Sequence, residues 1–259
     1  MKSYARPVEP IVVTTVFDDQ NGAEKYKGVP VDELLKGSIE ETIWLLWTGE
    51  KPTKIQADLA RMIIIMVADH GPSVAGAYST ILATSAGLEL PQAVAAGVQM
   101  IGPKFGGAAS DAAAQFKNAV ENKEMVEQFI NRLKSEGVNI FPGFGHKVFS
   151  RSKPDKRVSE LLEYARENIK TTPHITFAQA LEAELLKKNE KLILNIDGAI
   201  GATLLDLDFP IEGIDGFFVL ARTIGLIAHY IDQKQRGTGL IRLPEELVLY
   251  KNANKTHKG

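Results

Sequence analysis

Three short segments of the sequence place a histidine or a carboxylate in otherwise apolar surroundings. They carry His70, His146 and Asp197, in that order along the chain. Imidazole and carboxylate groups are frequent general acids and bases in enzymes. These three residues are therefore candidates for catalysis, although each also has an ordinary structural interpretation.

His70 and Asp197 show both interpretations. His70 follows Asp69 at the end of an apolar segment and precedes Pro72, so it could serve a substrate or only cap a helix. Asp197 lies within residues 192–205, which are apolar on nearly every side. Burial of a carboxylate is costly unless it is paired or functional, and burial favours the protonated form that an acid catalyst needs. The alternative is that Asp197 caps a helix or accepts hydrogen bonds.

A glycine-rich loop carries His146 and several cations. Two glycines and a proline precede His146, and Lys147, Arg151 and Lys153 follow it. Glycine lets the backbone approach a ligand closely, and the cations could bind phosphates. The loop is therefore predicted to bind an anionic ligand, and the alternative is an ordinary turn beside a solvated basic surface.

Arginines in apolar surroundings indicate where an anion could be held. Arg222 precedes His229 by seven residues in a largely apolar segment, so the two side chains share one face of a helix. A buried arginine needs an anionic partner, from the protein or from a ligand. Arg242 stands among leucine, isoleucine and proline, and the glycine-rich residues 102–107 could cradle an anion.

The elements that must position these residues are almost all helical. Apolar periodicity, prolines at first turns and glycines at helix ends predict about ten helices. Ser38 and Glu41 predict a capping box, and only residues 11–17 have the composition of a strand. The predicted fold is therefore all-α with minor N-terminal β-structure. The helices most relevant to the site are predicted at residues 53–69, 108–120, 154–169, 192–205 and 214–233.

Composition excludes several classes of function. The 259 residues carry 30 Lys and Arg against 32 Asp and Glu, a net charge of −2, so neither nucleic acid nor a membrane surface is expected as a partner. The absence of cysteine excludes disulfides, thiolate metal sites and a cysteine nucleophile. Spacings typical of metal sites, P-loops and dinucleotide-binding sites are missing. We expect a cytoplasmic protein without a metal, a signal peptide or a membrane span.

Five segments, read in order, resemble the citrate synthase superfamily over nearly the whole chain. The resemblance is strongest to stand-alone citryl-CoA lyases and to the C-terminal citryl-CoA lyase module of ATP-citrate lyase. The segments are ADHGPSVAGAYST, GPKFGGAASDAAAQF, FPGFGHKVFSRSKPDKRV, LILNIDGAIGATLL and FFVLARTIGLIAHYIDQKQRGTGLIRLPEE. The resemblance implies a large helical domain of residues 1–105 and 214–259, a small one of residues 106–213, and an active site in the cleft between them.

The resemblance also implies roles for individual residues. Three positions match catalytic residues, namely His70, His146 and Asp197. Either histidine could be the base for a substrate hydroxyl group, and the aspartate would carry the proton of the acetyl methyl group. Three positions match arginines that bind substrate carboxylates, namely Arg157, Arg222 and Arg242. The last of these reaches into a neighbouring subunit in this family, which implies at least a homodimer with shared sites. The matching coenzyme A-binding positions are Phe141, Pro142, Gly143, Phe144, Gly145, Lys147 and Arg151.

One departure from the synthase pattern decides the predicted reaction. Synthases use a histidine to polarise the acetyl-CoA thioester at the substrate-binding position where this chain has Phe105, and a phenyl ring cannot donate that hydrogen bond. The resemblance therefore implies a carbon–carbon lyase that cleaves citryl-CoA to acetyl-CoA and oxaloacetate. It implies no cofactor beyond the coenzyme A of substrate and product, and a separate citryl-CoA synthetase as a partner. The alternatives are a citrate or 2-methylcitrate synthase, and a non-catalytic coenzyme A-binding subunit of a larger complex.

Overall fold

The computed structural model describes residues 12–19, 22–102, 106–138, 140–237 and 239–250. Within these ranges the chain forms eleven α-helices and one three-stranded sheet, so the predicted all-α class with minor N-terminal β-structure is confirmed. The helices are α1 (Val31–Leu34), α2 (Ile39–Thr48), α3 (Lys54–Val67), α4 (Ala75–Ser85), α5 (Leu90–Val98), α6 (Ala109–Glu121), α7 (Val126–Ser135), α8 (Lys156–Asn168), α9 (Pro173–Leu186), α10 (Ile196–Leu205) and α11 (Ile211–Arg236). None of the helices in these ranges has the length and apolar content needed to cross a membrane.

The sheet is antiparallel and small. Its strands are β1 (Phe17–Asp18), β2 (Lys25–Tyr26) and β3 (Val29–Pro30). The predicted strand over residues 11–17 is wrong for its described part, because only Phe17 belongs to a strand, and Ile11 lies outside the described residues. Val12 and Val13 are 78% and 83% exposed. β-branched residues favour a strand only where a neighbouring strand or a buried face receives them.

The chain divides into two compact units. The first unit comprises Met1–Met66 and Ala108–Phe217, and the second comprises Val67–Gly107 and Phe218–Gly259. Helices α6 to α10 therefore belong to the first unit, and α4, α5 and most of α11 belong to the second. The large and small catalytic domains that the resemblance implies stay a prediction.

The first unit is built around α10. All of its residues are buried except Asp197, and α6, α8 and α9 pack against it. Small residues allow α6 to approach closely, because a Cβ at Gly201 would lie 2.7 Å from the carbonyl oxygen of Ala109. Ala112 and Ala113 of α6 are fully buried. The burial expected of the apolar residues 192–205 is therefore confirmed for α10.

The predicted capping box begins α2. Ser38 Oγ accepts a hydrogen bond from Glu41 N at 3.4 Å, and Glu41 Oε2 accepts one from Ser38 N at 2.8 Å. Later in the helix, Trp44 and Trp47 pack edge-on against Phe209, with ring centroids 4.9 and 6.4 Å away. This aromatic cluster anchors α2 to the segment that leads into α11.

In the second unit, α4 and α5 pack along small residues. A Cβ at Gly97 would lie 2.8 Å from the carbonyl oxygen of Gly76. Ala77 and Ala93 are fully buried in the same pair of helices. A larger side chain at Gly97 would therefore force α4 and α5 apart.

Candidate active site

The glycine-rich loop is held against the start of α10 by backbone hydrogen bonds. Asn195 N donates to the carbonyl oxygen of Gly143 at 2.9 Å, and Gly145 N donates to that of Ile193 at 2.8 Å. Gly143 has a φ of +81°, a conformation that favours glycine. A Cβ at Gly143 would lie 2.7 Å from Gly198 Cα. Glycine is therefore required here for contact with α10, whatever its role toward a ligand.

Asn195 is a residue of this arrangement that sequence reasoning missed. Its Oδ1 accepts a hydrogen bond from Gly198 N at 3.1 Å and so caps α10. Its Nδ2 donates to the carbonyl oxygen of Gly145 at 3.1 Å. The signal was present in the sequence, because asparagine directly before an apolar helix is a preferred N-cap. One side chain thus joins the loop to the helix.

Asp197 lies in the first turn of α10. The helix begins at Ile196, so the predicted start at residue 192 is wrong, because Asn195 caps the helix there. The positive end of the helix dipole stabilises a carboxylate at this position. Asp197 Oδ1 is inaccessible to solvent. Asn195, not Asp197, caps the helix, so the capping interpretation of Asp197 is wrong, and its proton-transferring role stays a prediction.

Two backbone N–H groups hold the imidazole of His146. Val148 N and Phe149 N donate to its Nδ1 at 3.0 and 3.1 Å. The ring also packs against Phe149, with centroids 4.6 Å apart. A neutral imidazole whose Nδ1 accepts hydrogen bonds carries its proton on Nε2. Any action of His146 on a substrate oxygen would therefore fall to Nε2.

The guanidinium of Arg157 is bound by a carboxylate of its own chain. Arg157 Nε and Nη2 donate to the two oxygens of Asp155 at 3.0 and 2.7 Å, and Nη1 donates to the carbonyl oxygen of Met66 at 3.3 Å. Burial acts to raise the pKa of Asp155, but the hydrogen bonds and charge of Arg157 outweigh it and lower that pKa. Sequence reasoning identified Arg157 but missed its pairing with Asp155.

A cavity of about 520 Å³ lies in the first unit beside Ser150 and Arg151, which follow the glycine-rich loop. Arg151, Gln179 and Glu182 are among the residues that line it. Leu194 N donates to Glu182 Oε1 at 2.8 Å. Burial raises the pKa of Glu182, and the hydrogen bond from Leu194 only partly opposes this shift. The cavity therefore combines a cation with a carboxyl group that burial shifts toward its neutral form.

The predicted coenzyme A-binding positions differ in exposure. Lys147 and Arg151 are exposed, and residues 141–142 are partly exposed. Phe144 is buried and packs edge-on against Phe116, with ring centroids 6.0 Å apart. Only the backbone of Phe144 could therefore contact a ligand. In the described part of the chain, no three His, Asp or Glu side chains are grouped so that they could hold a metal ion.

In the second unit, His70 lies exposed in the turn between α3 and α4. Its neighbour Asp69 organises this turn: Asp69 Oδ2 accepts a hydrogen bond from Gly71 N at 2.9 Å. Asp69 Oδ1 lies 2.9 Å from His229 Nε2 on α11. Gly71 has a φ of +85°, so the turn needs glycine at that position. Sequence reasoning identified the turn but not the link to His229.

Arg222 is the buried arginine that the sequence predicted. It is 3% exposed, and its guanidinium carbon lies 4.8 Å from the ring centroid of Phe218. Its spacing of seven residues from His229 puts both on one face of α11. The aromatic ring offsets part of the cost of removing the cation from water.

Two predicted substrate-binding residues are placed differently. Arg242 follows α11 in a segment without regular structure and is exposed, as are Leu240 and Leu243. Phe105 lies outside the described residues. Its neighbour Gly106 is described, and the ring of Phe218 occupies the space that a Cβ at Gly106 would need.

Comparisons with known proteins agree with the resemblance seen in the motifs. The family model "Citrate synthase, C-terminal domain" matches residues 47–244. ATP-citrate synthase beta chain protein 2 of Arabidopsis thaliana is 37% identical over 255 residues, and ATP-citrate synthase of Homo sapiens is 34% identical over 254 residues. Both alignments cover 92% of this chain, but only 42% and 23% of the respective relatives. The chain thus spans less than half of the length of these curated relatives.

Two solved structures are similar over nearly the whole chain. ATP citrate lyase from Methanosaeta concilii, in complex with (3S)-citryl-CoA, has a TM-score of 0.89 at 38% identity, covering 96% of this chain and 43% of that one. Citryl-CoA lyase from Hydrogenobacter thermophilus has a TM-score of 0.87 at 29% identity, covering 94% of this chain and 96% of that one. The recognised resemblance is thereby confirmed.

Proposed function

The chain belongs to the citrate synthase family, and on that premise we propose that it is a citryl-CoA lyase that cleaves citryl-CoA to acetyl-CoA and oxaloacetate. The observation that carries the proposal is the end-to-end likeness to the citryl-CoA lyase from Hydrogenobacter thermophilus, 96% of which is covered. Phe105 supports it from the sequence, because efficient condensation would need a hydrogen-bond donor at the thioester.

The proposed cleavage breaks one carbon–carbon bond. A base accepts the proton of the tertiary hydroxyl group, the carbonyl of oxaloacetate forms, and the bonding electrons move into the enolate of the acetyl-CoA thioester. Asp197, in its protonated form, then donates a proton to the methylene carbon. Both histidines, His70 and His146, are candidates for the base, but Nε2 of His146 carries a proton while Nδ1 accepts its two backbone hydrogen bonds, so His146 could accept the hydroxyl proton only after releasing that one. The atoms and charges balance without a metal or a redox cofactor.

Arginines stabilise the carboxylates of the citryl group in this proposal. Arg222 is buried, so its charge is worth more to an anion than that of an exposed arginine. Arg157 is already bound to Asp155. We propose that Arg157 binds a substrate carboxylate and that Asp155 holds its guanidinium in the required orientation. Such preorganisation reduces the cost of fixing an arginine when a substrate binds.

The glycine-rich loop is the proposed binding segment for coenzyme A. Its exposed Lys147 and Arg151 provide charge for the phosphates. Its backbone at Gly143 and Gly145 is fixed by hydrogen bonds to residues 193–195. A fixed loop can bind a ligand through backbone groups without first paying the entropy of ordering.

We also propose a homo-oligomer, at least a dimer, with shared sites. In the second unit α11 exposes Ile224, Ile227 and Ile231, which lie on one helix face, and α4 exposes Tyr78 and Leu82. Apolar groups of this kind on a surface are typical of an interface between protein chains. A second copy of the chain is the proposed occupant, and a separate citryl-CoA synthetase is proposed as the supplier of the substrate.

One pair of assays tests the activity. The protein is first supplied with citryl-CoA, and then separately with oxaloacetate and acetyl-CoA, while thioester absorbance and free coenzyme A are followed. Cleavage that conserves the thioester and yields oxaloacetate is expected. Release of free coenzyme A with formation of citrate would indicate a synthase. Binding of coenzyme A without either reaction would indicate a non-catalytic subunit.

Subunit mixing tests the shared site through Arg242. Arg242→Ala should weaken substrate binding, because a hydrogen bond to a charged group contributes about 1.5–3 kcal/mol. Mixed with His146→Asn, it should regain part of the activity, since a heterodimer can assemble one site with both native residues. Arg236→Ala is the matched control, because Arg236 is exposed and paired with Asp232 on α11. Full activity of a monomer, or no recovery after proven subunit exchange, would contradict the shared site.

A further inference from the structure

One stripe of α11 contacts the loops of the second unit. Phe218, Gly225 and His229 lie at spacings of seven and four residues, so they fall on the same helix face. The Phe218 ring fills the space beside Gly106. Gly225 and His229 both meet the turn that carries His70. The stripe therefore acts as a support for that turn.

Gly225 lets the turn come close to the helix. A Cβ at this position would lie 2.2 Å from the carbonyl oxygen of Ala68 and 3.2 Å from the Cβ of Asp69. Any side chain here would push the turn away from α11. The close approach brings Asp69 within hydrogen-bond distance of His229, one helical turn further along α11.

Asp69 is the link between His229 and the backbone beside His70. Its Oδ1 lies 2.9 Å from His229 Nε2, and its Oδ2 accepts from Gly71 N at 2.9 Å. Partial burial acts to raise the pKa of Asp69, but the hydrogen bonds from Gly71 and His229 outweigh it, and the net shift is downward. Asp69 is therefore ionised near neutral pH and accepts from both Gly71 and His229, and His70 lies between Asp69 and Gly71 in sequence.

We propose that His229 is a positioning residue, which acts through Asp69 to hold the His70 turn in place for the reaction. In this proposal His229 does not contact the substrate. The proposal rests on the proposed function only in taking His70 as a residue that serves the substrate.

A second histidine–aspartate pair provides a matched control. His174 Nδ1 lies 2.7 Å from Asp206 Oδ1, and Asp206 also accepts from the backbone N–H groups of His174 and Ile175. Asp206 directly follows α10, about 14 Å along the helix axis from Asp197. Both pairs tie an imidazole to a carboxylate that holds backbone N–H groups, but only the Asp69 pair adjoins a predicted catalytic residue.

The kinetic test compares three variants. His229→Leu removes the donor and should lower kcat/KM for citryl-CoA by about 10- to 100-fold, because a displacement of about 1 Å in a reacting group can cost that much. His229→Gln can still donate to Asp69 and should stay within about threefold of the native enzyme. His174→Leu should lower Tm but leave kcat/KM unchanged. If His229→Leu also lowers only Tm, the residue is merely structural and the proposal is overturned.

A spectroscopic test separates this proposal from the proposed function. The chain has five histidines, so their ¹⁵N-imidazole signals can be assigned by single substitutions. The His70 signal should shift or broaden in His229→Leu and stay in place in His174→Leu and His229→Gln. This outcome needs no activity, so it holds even if citryl-CoA is not the substrate. An unchanged His70 signal in folded His229→Leu would overturn the positioning role.

Discussion

Substitution of Gly143 by alanine tests whether contact between the loop and α10 sets the geometry of the site. The new Cβ would lie 2.7 Å from Gly198 Cα and 2.9 Å from Ala112 Cβ. Carbon atoms in favourable contact are about 3.5–4.0 Å apart, so one side must move by roughly 0.8 Å. Gly198 and Ala112 are buried residues of α10 and α6, so the loop is the element that should yield.

The expected loss of stability in Gly143→Ala has two contributions. A left-handed φ of +81° costs an alanine about 1–2 kcal/mol, and overpacking adds about 1–3 kcal/mol. Gly137→Ala is the matched control, because Gly137 has a φ of +77°, but a Cβ added there would meet no atom of the described residues within 4 Å. Gly137→Ala should therefore lose only the stability that the left-handed φ costs. The difference in free energy of unfolding between the two variants therefore isolates the contact with α10.

Kinetics then decide whether this contact matters for the reaction. A loop displaced by nearly 1 Å carries His146 away from its position relative to Asp197. Because of this displacement, we expect kcat/KM to fall by about 10²-fold. Gly137→Ala should keep native kinetics. Steady-state cleavage assays and chemical unfolding of both variants provide the measurements. If Gly143→Ala loses stability but retains native kcat/KM, the loop contact does not set the catalytic geometry.

Three further predictions follow from single side chains. Asp197→Asn keeps the size of the side chain but removes proton transfer, so kcat should fall by about 10²–10⁴-fold, and near-native turnover of a folded variant would leave Asp197 a structural residue. Phe105→His should preserve cleavage and add condensation or hydrolysis activity, whereas loss of cleavage with no gained activity would contradict the role of the phenyl ring. Glu182 has a raised pKa in the folded chain. The free energy of unfolding therefore falls as pH rises from the ordinary pKa of a glutamate toward this raised pKa. Glu182→Gln should therefore gain Tm relative to the native chain as pH rises above the ordinary pKa of a glutamate, and a Tm difference independent of pH would refute the assigned effect of burial.

Local rules were sufficient for much of the fold. The capping box of Ser38 and Glu41 follows from two residues at a spacing of three, and it is present. Apolar periodicity located the main helices and the burial of α10, because a helix that is apolar on nearly every side has to be enclosed. Strand prediction failed at Val12 and Val13, because a strand depends on a partner that the local sequence does not specify.

The motifs identified candidate residues but not their partners. The sequence by itself determined an all-α chain of the citrate synthase family and the burial of Arg222, since these depend on composition, periodicity and motif order. Only the tertiary structure decided that Asp155 and Arg157 form a bidentate ion pair. It also decided that His229 lies within hydrogen-bond distance of Asp69, 160 residues away in sequence. The physical reason is that helical periodicity tells which face is buried, whereas the group that covers that face comes from a distant part of the chain.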